Sequence, residues 1–356
     1  MGCFRLGFLA LVVLVGGAAA APISEADCEA RANDSAAKLV ECIKQPVLWR
    51  QLSAFQRIAD DNPGPDGHDN RDTGTPGYKA SVEHVAALMR AAGYRVTVQP
   101  YNWTKIDGEK SDIDYNLIAD SPFGDPEHVV VLEGHLDSIY GAGMLDNASG
   151  STTILEIALN MANTPTRNQL RYIWFGGEEL GLLGSKYYTR NLTKEELGRI
   201  DFDIDADVTA TPNFAIIVAD PRFAPNRKRF PPNVIPESKV GNQDFAEYFR
   251  SIGVISRPGA GGNTGTDSNS FSLAGVPNTG ILTQQDCCKH GWDVRDWGGV
   301  LGNYEGKIPS RNGGCVDHPH RWCDNLSNND PFVFEMVSRS VAYVTWKLAN
   351  DLSIRH

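Results

Sequence analysis

Three neighbouring segments decide the fold: EHVVVLEGHLDS (127–138), GAGMLDNASGSTTILEIALNMAN (141–163) and LRYIWFGGEELGLLG (170–184). Residues 129–132 and 172–175 are unbroken apolar runs, which are typical of strands buried on both faces. Polar residues and then a helical pattern of apolar residues follow each run. This order predicts a doubly wound α/β sheet, whose ligands bind beyond the carboxyl ends of the strands.

The composition is that of an ordinary globular protein. The chain has 356 residues, a net charge of −11 and a pI near 5.2. Its length suffices for a substantial core. The acidic balance argues against nucleic acid and against anionic membranes as partners. Since no repeat or linker is evident, we expect one domain over residues 21–356, acting as a monomer.

The first 20 residues predict a cleaved secretory signal peptide. Arg5 supplies the positive end, residues 6–15 the apolar run, and the alanines at 18–20 the cleavage site. We place the cut after Ala20, because a cut one residue later would leave Pro22 at the first mature position. The apolar run is shorter than the roughly 18 residues of a membrane span, so we expect secretion rather than anchoring.

The remaining cysteines predict disulfides in an oxidising compartment. Removal of the signal leaves an even set: Cys28, Cys42, Cys287, Cys288, Cys315 and Cys323. The economical local pairs are Cys28–Cys42 and Cys315–Cys323. The adjacent Cys287 and Cys288 then form a vicinal bridge or pair elsewhere. A zinc ribbon is disfavoured, because no CxxC pair occurs.

The rest of the chain predicts a mixed, mostly parallel twisted sheet with helices on both faces. Predicted helices cover residues 24–56, 78–92, 180–188, 245–252 and 331–352, and another opens at Asp146. Further strands are predicted at 94–101, 114–118, 200–208, 214–218 and 277–282. The turn-rich residues 62–77 are too polar for a core and predict a surface loop bordering a cleft, and the proline-rich residues 221–240 predict a loop or insertion.

Five candidate metal ligands fall at strand ends or in loops: His135, Asp146, Glu179, Asp207 and His320. Two imidazoles and three carboxylates suit borderline divalent metals, with zinc first. One carboxylate shared by two ions would give the site of a two-metal hydrolase. Glu178 could then accept the proton of the attacking water and return it to a leaving amine.

Several short motifs carry a resemblance to a known family. They are GTPGY (74–78), GHLDS (134–138), DNASG (146–150), GGEELGLLGS (176–185), HRWCDN (320–325) and the overlapping CDNLSN (323–328). Together they resemble the secreted two-zinc aminopeptidases of the aminopeptidase Y family, above all the compact bacterial leucyl aminopeptidases. The resemblance runs from about Gln56 to the final helix and implies the zinc exopeptidase fold and hydrolysis at peptide N-termini.

The family's roles carry over residue by residue. His135 and Asp207 resemble ligands of one zinc, Asp146 the bridging carboxylate, and Glu179 and His320 ligands of the second zinc. Glu178 resembles the general base and Asp137 the carboxylate that orients His135.

Some of these positions have rivals. Asp201, Asp203 and Asp205 crowd the strand before Asp207. His318 and His290 compete with His320 as the last ligand. Asp146 could be only a helix cap, and Glu178–Glu179 only a solvated helix start.

The chain also departs from the family pattern. Bacterial relatives have Tyr where Pro319 stands, and an Arg in the loop that corresponds to residues 265–271, where this chain has none. These two residues are thought to steady the oxyanion, so that role is open, with His318 as a hypothetical replacement. The alternatives to an aminopeptidase are a carboxypeptidase, a dipeptidase, a single-zinc glutaminyl cyclase, or a metal-free binding domain.

Overall fold

The computed structural model describes residues 23–65, 67–103, 112–260, 265–285, 287–304 and 323–355. The predicted signal peptide, Cys315, and the predicted ligand His320 with its neighbour His318 lie outside the described residues.

The described strands form a large sheet and a small one. They are β1 (Arg95–Trp103), β2 (Asp112–Asp120), β3 (Asp125–His135), β4 (Asn168–Phe175), β5 (Ile200–Ala206), β6 (Ile217–Ala219), β7 (Arg257–Gly259), β8 (Asn278–Leu282), β9 (Cys287–Lys289) and β10 (Gly302–Asn303). The large sheet has the order β1-β2-β4-β3-β5-β8-β6-β7, and β10 pairs with β9.

The described helices are mostly short, apart from four of 14 residues or more. They are α1 (Glu25–Ala30), α2 (Ala36–Cys42), α3 (Gln45–Asp60), α4 (Pro76–Ala91), α5 (Ala148–Met161), α6 (Leu183–Asn191), α7 (Lys194–Gly198), α8 (Val234–Glu237), α9 (Lys239–Ser251), α10 (Ser268–Ala274), α11 (Gly291–Trp297) and α12 (Pro331–Asn350). Turns of 3₁₀ helix cover Pro221–Phe223, Arg227–Arg229 and Leu326–Asn328.

The centre of the large sheet is parallel and its edges are mixed. Strands β4, β3, β5 and β8 run parallel to one another. Strands β1 and β2 add on antiparallel at one edge, and β6 pairs antiparallel with β8 at the other. The predicted fold class, a mixed and mostly parallel α/β sheet, is confirmed. Since the four central strands point the same way, their carboxyl ends meet at one edge of the sheet.

Helices cover both faces of this sheet. Trp174 packs with α5 and α12 in the larger core, and its indole Nε1 donates to Ser151 O at 3.1 Å. Phe175, the next residue, points to the opposite face and contacts Tyr188 of α6 and Phe271 of α10. Side chains alternate in this way along every strand. Burying one large apolar side chain contributes about 1.5–3 kcal/mol, so both layers stabilise the sheet substantially.

Several local predictions need correction. The helix predicted over residues 24–56 is divided into α1, α2 and α3, and the loop predicted over residues 221–240 contains α8. The helix predicted directly behind Glu179 begins only at Leu183, because the chain first makes a turn in which Leu182 adopts a left-handed backbone with φ of 60°. The predicted surface loop at 62–77 is partly buried in its second half, where Arg71 is 0% exposed and Asn70 and Thr73 are each 9% exposed. The side chains of Arg71 and Thr73 can lie there because backbone carbonyls and a carboxylate of residues 136–143 accept their hydrogen bonds.

The predicted disulfide between Cys28 and Cys42 is present and joins α1 to α2. Cys288 and Cys323 are also disulfide-bonded. Among the helices that the structure describes, none combines the length and the apolar character needed to cross a bilayer.

Candidate functional site

His135, Asp146 and Asp207 come together at the carboxyl edge of the central strands. The Nε2 atom of His135 lies 3.1 Å from Asp146 Oδ1 and 3.7 Å from Asp207 Oδ1. One ligand atom from each of the three residues lies within 4.8 Å of the others, and no other such group of His, Cys, Asp or Glu occurs in the described ranges. One imidazole nitrogen facing two carboxylate oxygens is a donor set that suits zinc.

The secondary structure explains why these three residues meet. His135 is the last residue of β3, and Asp207 directly follows its parallel neighbour β5. Asp146 precedes Asn147, whose side chain caps α5 by accepting from Gly150 N and donates to Ala206 O at 2.9 Å. The helix approaches β5 so closely that a Cβ at Gly150 would lie 1.9 Å from Ala206 O. Gly150 of the DNASG motif therefore lets Asp146 reach the ends of the strands.

The rivals of Asp207 do not join this group. Asp201, Asp203 and Asp205 lie within β5 and are buried. Only Asp207 lies beyond the end of the strand, where the loops leave an opening. His290, a rival of His320, is exposed and caps α11 instead. The structure places Asp146 outside the cap position, since Asn147 is the cap of α5.

Asp137 joins the group to the turn that carries the two glutamates. Its carboxylate accepts from the backbone N–H of Glu178 at 3.2 Å, of Glu179 at 3.4 Å, and from the Thr73 hydroxyl at 2.9 Å. His135 Nδ1 lies 3.5 Å from Asp137 Oδ1 and 3.1 Å from the backbone oxygen of the same residue. Asp137 thus contacts both the ring of His135 and the backbone of the Glu178–Glu179 turn.

Glu178 and Glu179 face the same cavity as Asp146 and Asp207. The cavity has a volume of about 410 Å³. The rest of its described lining is Gly181, Leu182, Lys186, Gly265, Asn269 and Gln285. Four carboxylates in one opening, with few apolar side chains, favour a cation and a polar reaction rather than an apolar ligand.

The electrostatics also favour a cation. Burial alone would lower the pKa of His135, but Asp207, Asp137 and Asp146 raise it well above its ordinary value. A metal ion held by His135 Nε2 would take the place of that proton. Burial raises the pKa of Glu178 well above its ordinary value, and His135 opposes this shift.

A layer of buried acids beneath the cavity was not predicted from the sequence. Glu133 of β3 pairs in register with Asp205 of β5, and Asp203 and Asp267 lie nearby. All four are at most 3% exposed. Burial raises the pKa of each, and neighbouring acids add to the effect. The alternation of Asp along residues 201–207 was the available signal, but alternation alone does not distinguish a solvated face from a buried one.

Two further polar residues that the sequence reasoning missed hold the loop between His135 and Asp146. Asp324 accepts from the backbone N–H of Leu145 at 2.8 Å and of Asp146 at 3.0 Å. Arg71 binds the same loop through its guanidinium group. Asp324 is the second residue of the quoted CDNLSN motif and Arg71 lies three residues before GTPGY, and these positions are the signal that could have found them.

Comparison with known proteins identifies relatives that are longer than this chain. Leupeptin-inactivating enzyme 1 of Streptomyces exfoliatus is 35% identical over 301 residues, which cover 83% of this chain and 60% of that protein. A probable leucine aminopeptidase 2 of Aspergillus oryzae is 30% identical over 67% of this chain and 45% of its own length. An aminopeptidase of Pseudomonas aeruginosa is 31% identical over 65% of this chain and 40% of its own length. The chain therefore spans 40–60% of the length of these relatives.

Solved structures show the same fold. A zinc aminopeptidase from Bacillus subtilis superposes with a TM-score of 0.62 over 87% of this chain and 96% of its own, at 16% identity. An aminopeptidase from Aneurinibacillus sp. strain AM-1 gives a TM-score of 0.64 over 89% and 96%, at 15% identity. The family model described as peptidase family M28 matches residues 116–345, which is more than half of the chain. This chain therefore belongs to peptidase family M28.

Proposed function

We propose that this protein is a secreted metallo-exopeptidase of the aminopeptidase Y type, which removes N-terminal residues from peptides with two zinc ions. The observation that carries the proposal is the group His135, Asp146 and Asp207, of which Asp146 and Asp207 line the same cavity as Glu178. The names of the relatives, leucine aminopeptidases and aminopeptidases, support a peptide substrate attacked at its N-terminus.

In this proposal His135 and Asp207 would hold one zinc, Glu179 and His320 would hold the second, and Asp146 would be a ligand of both. The carboxylate of Asp146 lies 3.1 Å from His135 and lines the same cavity as Glu179, which supports a shared role. Two bound zinc ions would supply an acidified water and polarise the scissile carbonyl group. The protein supplies fixed ligands and the surrounding negative charge.

Glu178 is the proposed general base. It takes a proton from the attacking water onto its carboxylate and later transfers that proton to the nitrogen of the leaving amine. Its backbone N–H is held by Asp137, which also orients His135. One carboxylate therefore contacts both the proposed base and the proposed ligand His135. Glu178 is 8% exposed, which shields the proton from bulk water.

Localisation and organisation follow the same proposal. We propose that residues 1–20 are removed on secretion and that residues 21–356 form one peptidase domain that acts as a monomer. The disulfide between Cys28 and Cys42 supports an oxidising compartment.

The adjacent glutamates provide the test and its matched control. Glu178→Gln should retain about two zinc ions per chain while losing about 10²–10⁴-fold in kcat on leucyl-p-nitroanilide. Glu179→Gln, one residue away, should lose one of the two ions. Zinc would be measured by elemental analysis of the purified mature protein, and hydrolysis by release of nitroaniline.

Other results would contradict the proposal. Glu178→Gln with wild-type kcat would remove this residue as the base. A wild-type protein with one zinc that cyclises N-terminal glutamine would favour the glutaminyl cyclase, whose solved examples share the fold at 17–18% identity. A wild-type protein with no zinc and no peptidase activity would refute the proposed metallo-exopeptidase function.

A further inference from the structure

The loop from Leu136 to Leu145 joins two proposed zinc ligands and has no helix or strand of its own. Its backbone is unusual, since Tyr140, Gly141 and Gly143 all have positive φ, at 59°, 137° and 60°. A Cβ at Gly143 would lie 2.4 Å from Ser138 Cβ, so the loop is tightly folded on itself. A loop without regular hydrogen bonding needs other partners for its carbonyl groups if it is to hold His135 and Asp146 at a constant separation.

The buried side chain of Arg71 donates hydrogen bonds to these carbonyl groups. Its guanidinium group donates from Nη1 to Leu136 O at 2.7 Å, from Nε to Ala142 O at 2.7 Å and from Nη2 to Gly143 O at 2.9 Å. The three acceptors lie at both ends of the loop, next to His135 and close to Asp146. One planar group therefore ties the beginning of the loop to its end.

The backbone around Arg71 reinforces this attachment. Arg71 N donates to Gly141 O at 3.3 Å, and Ser138 N donates to Arg71 O at 3.2 Å. The Ser138 hydroxyl donates to Asp72 Oδ1 at 3.0 Å, and Thr73 donates to Asp137. Residues 71–73 thus lie beside the first turn of the loop and are hydrogen-bonded to it.

The chemistry of the guanidinium group suits this task. Arg71 is 0% exposed, and its guanidinium carbon lies 5.3 Å from the centre of the Phe55 ring. Burial lowers its pKa to about 10, and Asp137 and Asp324 oppose the shift, so the group is cationic at neutral pH. Five fixed N–H donors can bind three carbonyls at once, whereas the ammonium group of lysine lacks this planar fork.

We propose that Arg71 is a positioning residue of the metal centre, which sets the separation of His135 and Asp146 by binding the carbonyls of Leu136, Ala142 and Gly143. The inference rests on the proposed function, because it takes His135 and Asp146 as zinc ligands. Arg71 does not line the cavity, so it acts through the loop alone.

The test compares Arg71→Lys and Arg71→Met with the matched control Arg355→Lys. Arg355 also binds backbone and amide oxygens, with Nη2 donating to Arg167 O at 3.0 Å and Nε to Asn168 Oδ1 at 2.8 Å, at the opposite ends of the strands. Three quantities are measured: zinc affinity by competition with a chelator, the visible spectrum of the cobalt-substituted protein, and the midpoint of thermal unfolding.

We expect Arg71→Lys to weaken zinc binding by about 10–100-fold, to alter the cobalt spectrum, and to recover activity partly in excess zinc. Arg71→Met should weaken zinc binding more strongly than Arg71→Lys. Arg355→Lys should lower the unfolding midpoint and leave zinc affinity and the cobalt spectrum unchanged.

Two results would overturn the inference, and they are distinguishable. If wild type binds zinc and is active, but folded Arg71→Lys has the same zinc affinity and cobalt spectrum, Arg71 only stabilises the fold and this inference alone is wrong. If wild type binds no zinc, the proposed function is wrong and this inference falls with it. Should Arg71→Met not fold, Arg71→Lys still decides the question.

Discussion

Glu156 lies on α5 with its carboxyl group buried, at 2% exposure. Its Oε1 accepts from the Asn160 amide at 2.9 Å, and Oε2 has no hydrogen-bond partner within the described ranges. Burial raises its pKa from 4.5 to about 8, the Asn160 bond opposes the shift, and Glu25 and Glu29 add to it. The charged form of Glu156 is therefore costly in the folded protein and harmless in the unfolded chain.

Glu156→Gln should remove this penalty while keeping the shape of the side chain. Because the folded state holds the proton more tightly, the free energy of unfolding of the wild type falls as pH rises from about 4.5 to about 8. A tenfold difference in proton affinity corresponds to about 1.4 kcal/mol. The difference in unfolding free energy, variant minus wild type, should therefore be about 2–4 kcal/mol larger at pH 8 than at pH 5.

Denaturant unfolding of both proteins, followed by tryptophan fluorescence at several pH values across this interval, measures the difference directly. If burying the new amide group has a fixed cost, it lowers the variant's unfolding free energy equally at every pH. The pH dependence of the difference is then unchanged. Glu195→Gln, at an exposed position on α7, is the control and should show no such trend. A difference between Glu156→Gln and wild type that is the same at both ends of the interval would refute the reasoning, because the carboxyl group would then be hydrated in solution.

Two further changes test the site and the smaller core. Asp137→Asn should weaken zinc binding by about 10–100-fold, because one carboxylate acceptor becomes a donor facing the N–H group of Glu178 and the His135 ring. Unchanged zinc affinity in a chelator competition would contradict this. Phe271→Ala should lower the free energy of unfolding by about 3–5 kcal/mol, since the ring fills the space between Phe175 and Tyr188. Denaturant unfolding measures this loss, and a value below about 1 kcal/mol would mean that the layer repacks.

The order of elements was readable from the sequence because it depends on local patterns. The apolar runs at residues 129–132 and 172–175 became the central strands β3 and β4, and the predicted strands on either side also occur. Boundaries were less accurate. The helix predicted directly behind Glu179 begins at Leu183, since a left-handed turn at Leu182 is decided by contacts rather than by the helical pattern.

The meeting of His135 and Asp207 was also predictable, because parallel neighbours bring their carboxyl ends together. The choice of Asp207 over three similar acids required either the family motif or the structure. Asp201, Asp203 and Asp205 share one face of β5 by alternation, whereas Asp207 lies just beyond the end of the strand.

The sequence by itself determined the α/β class and the positions of most proposed ligands, because strand and helix periodicity are local properties of the chain. Only the tertiary structure decided that Arg71 is internal and that Glu133, Asp203, Asp205 and Asp267 form a buried acidic layer. The physical reason is that burial of a polar side chain depends on partners distant in sequence. Arg71 can be internal because carbonyls 65 to 72 residues further along the chain accept its hydrogen bonds.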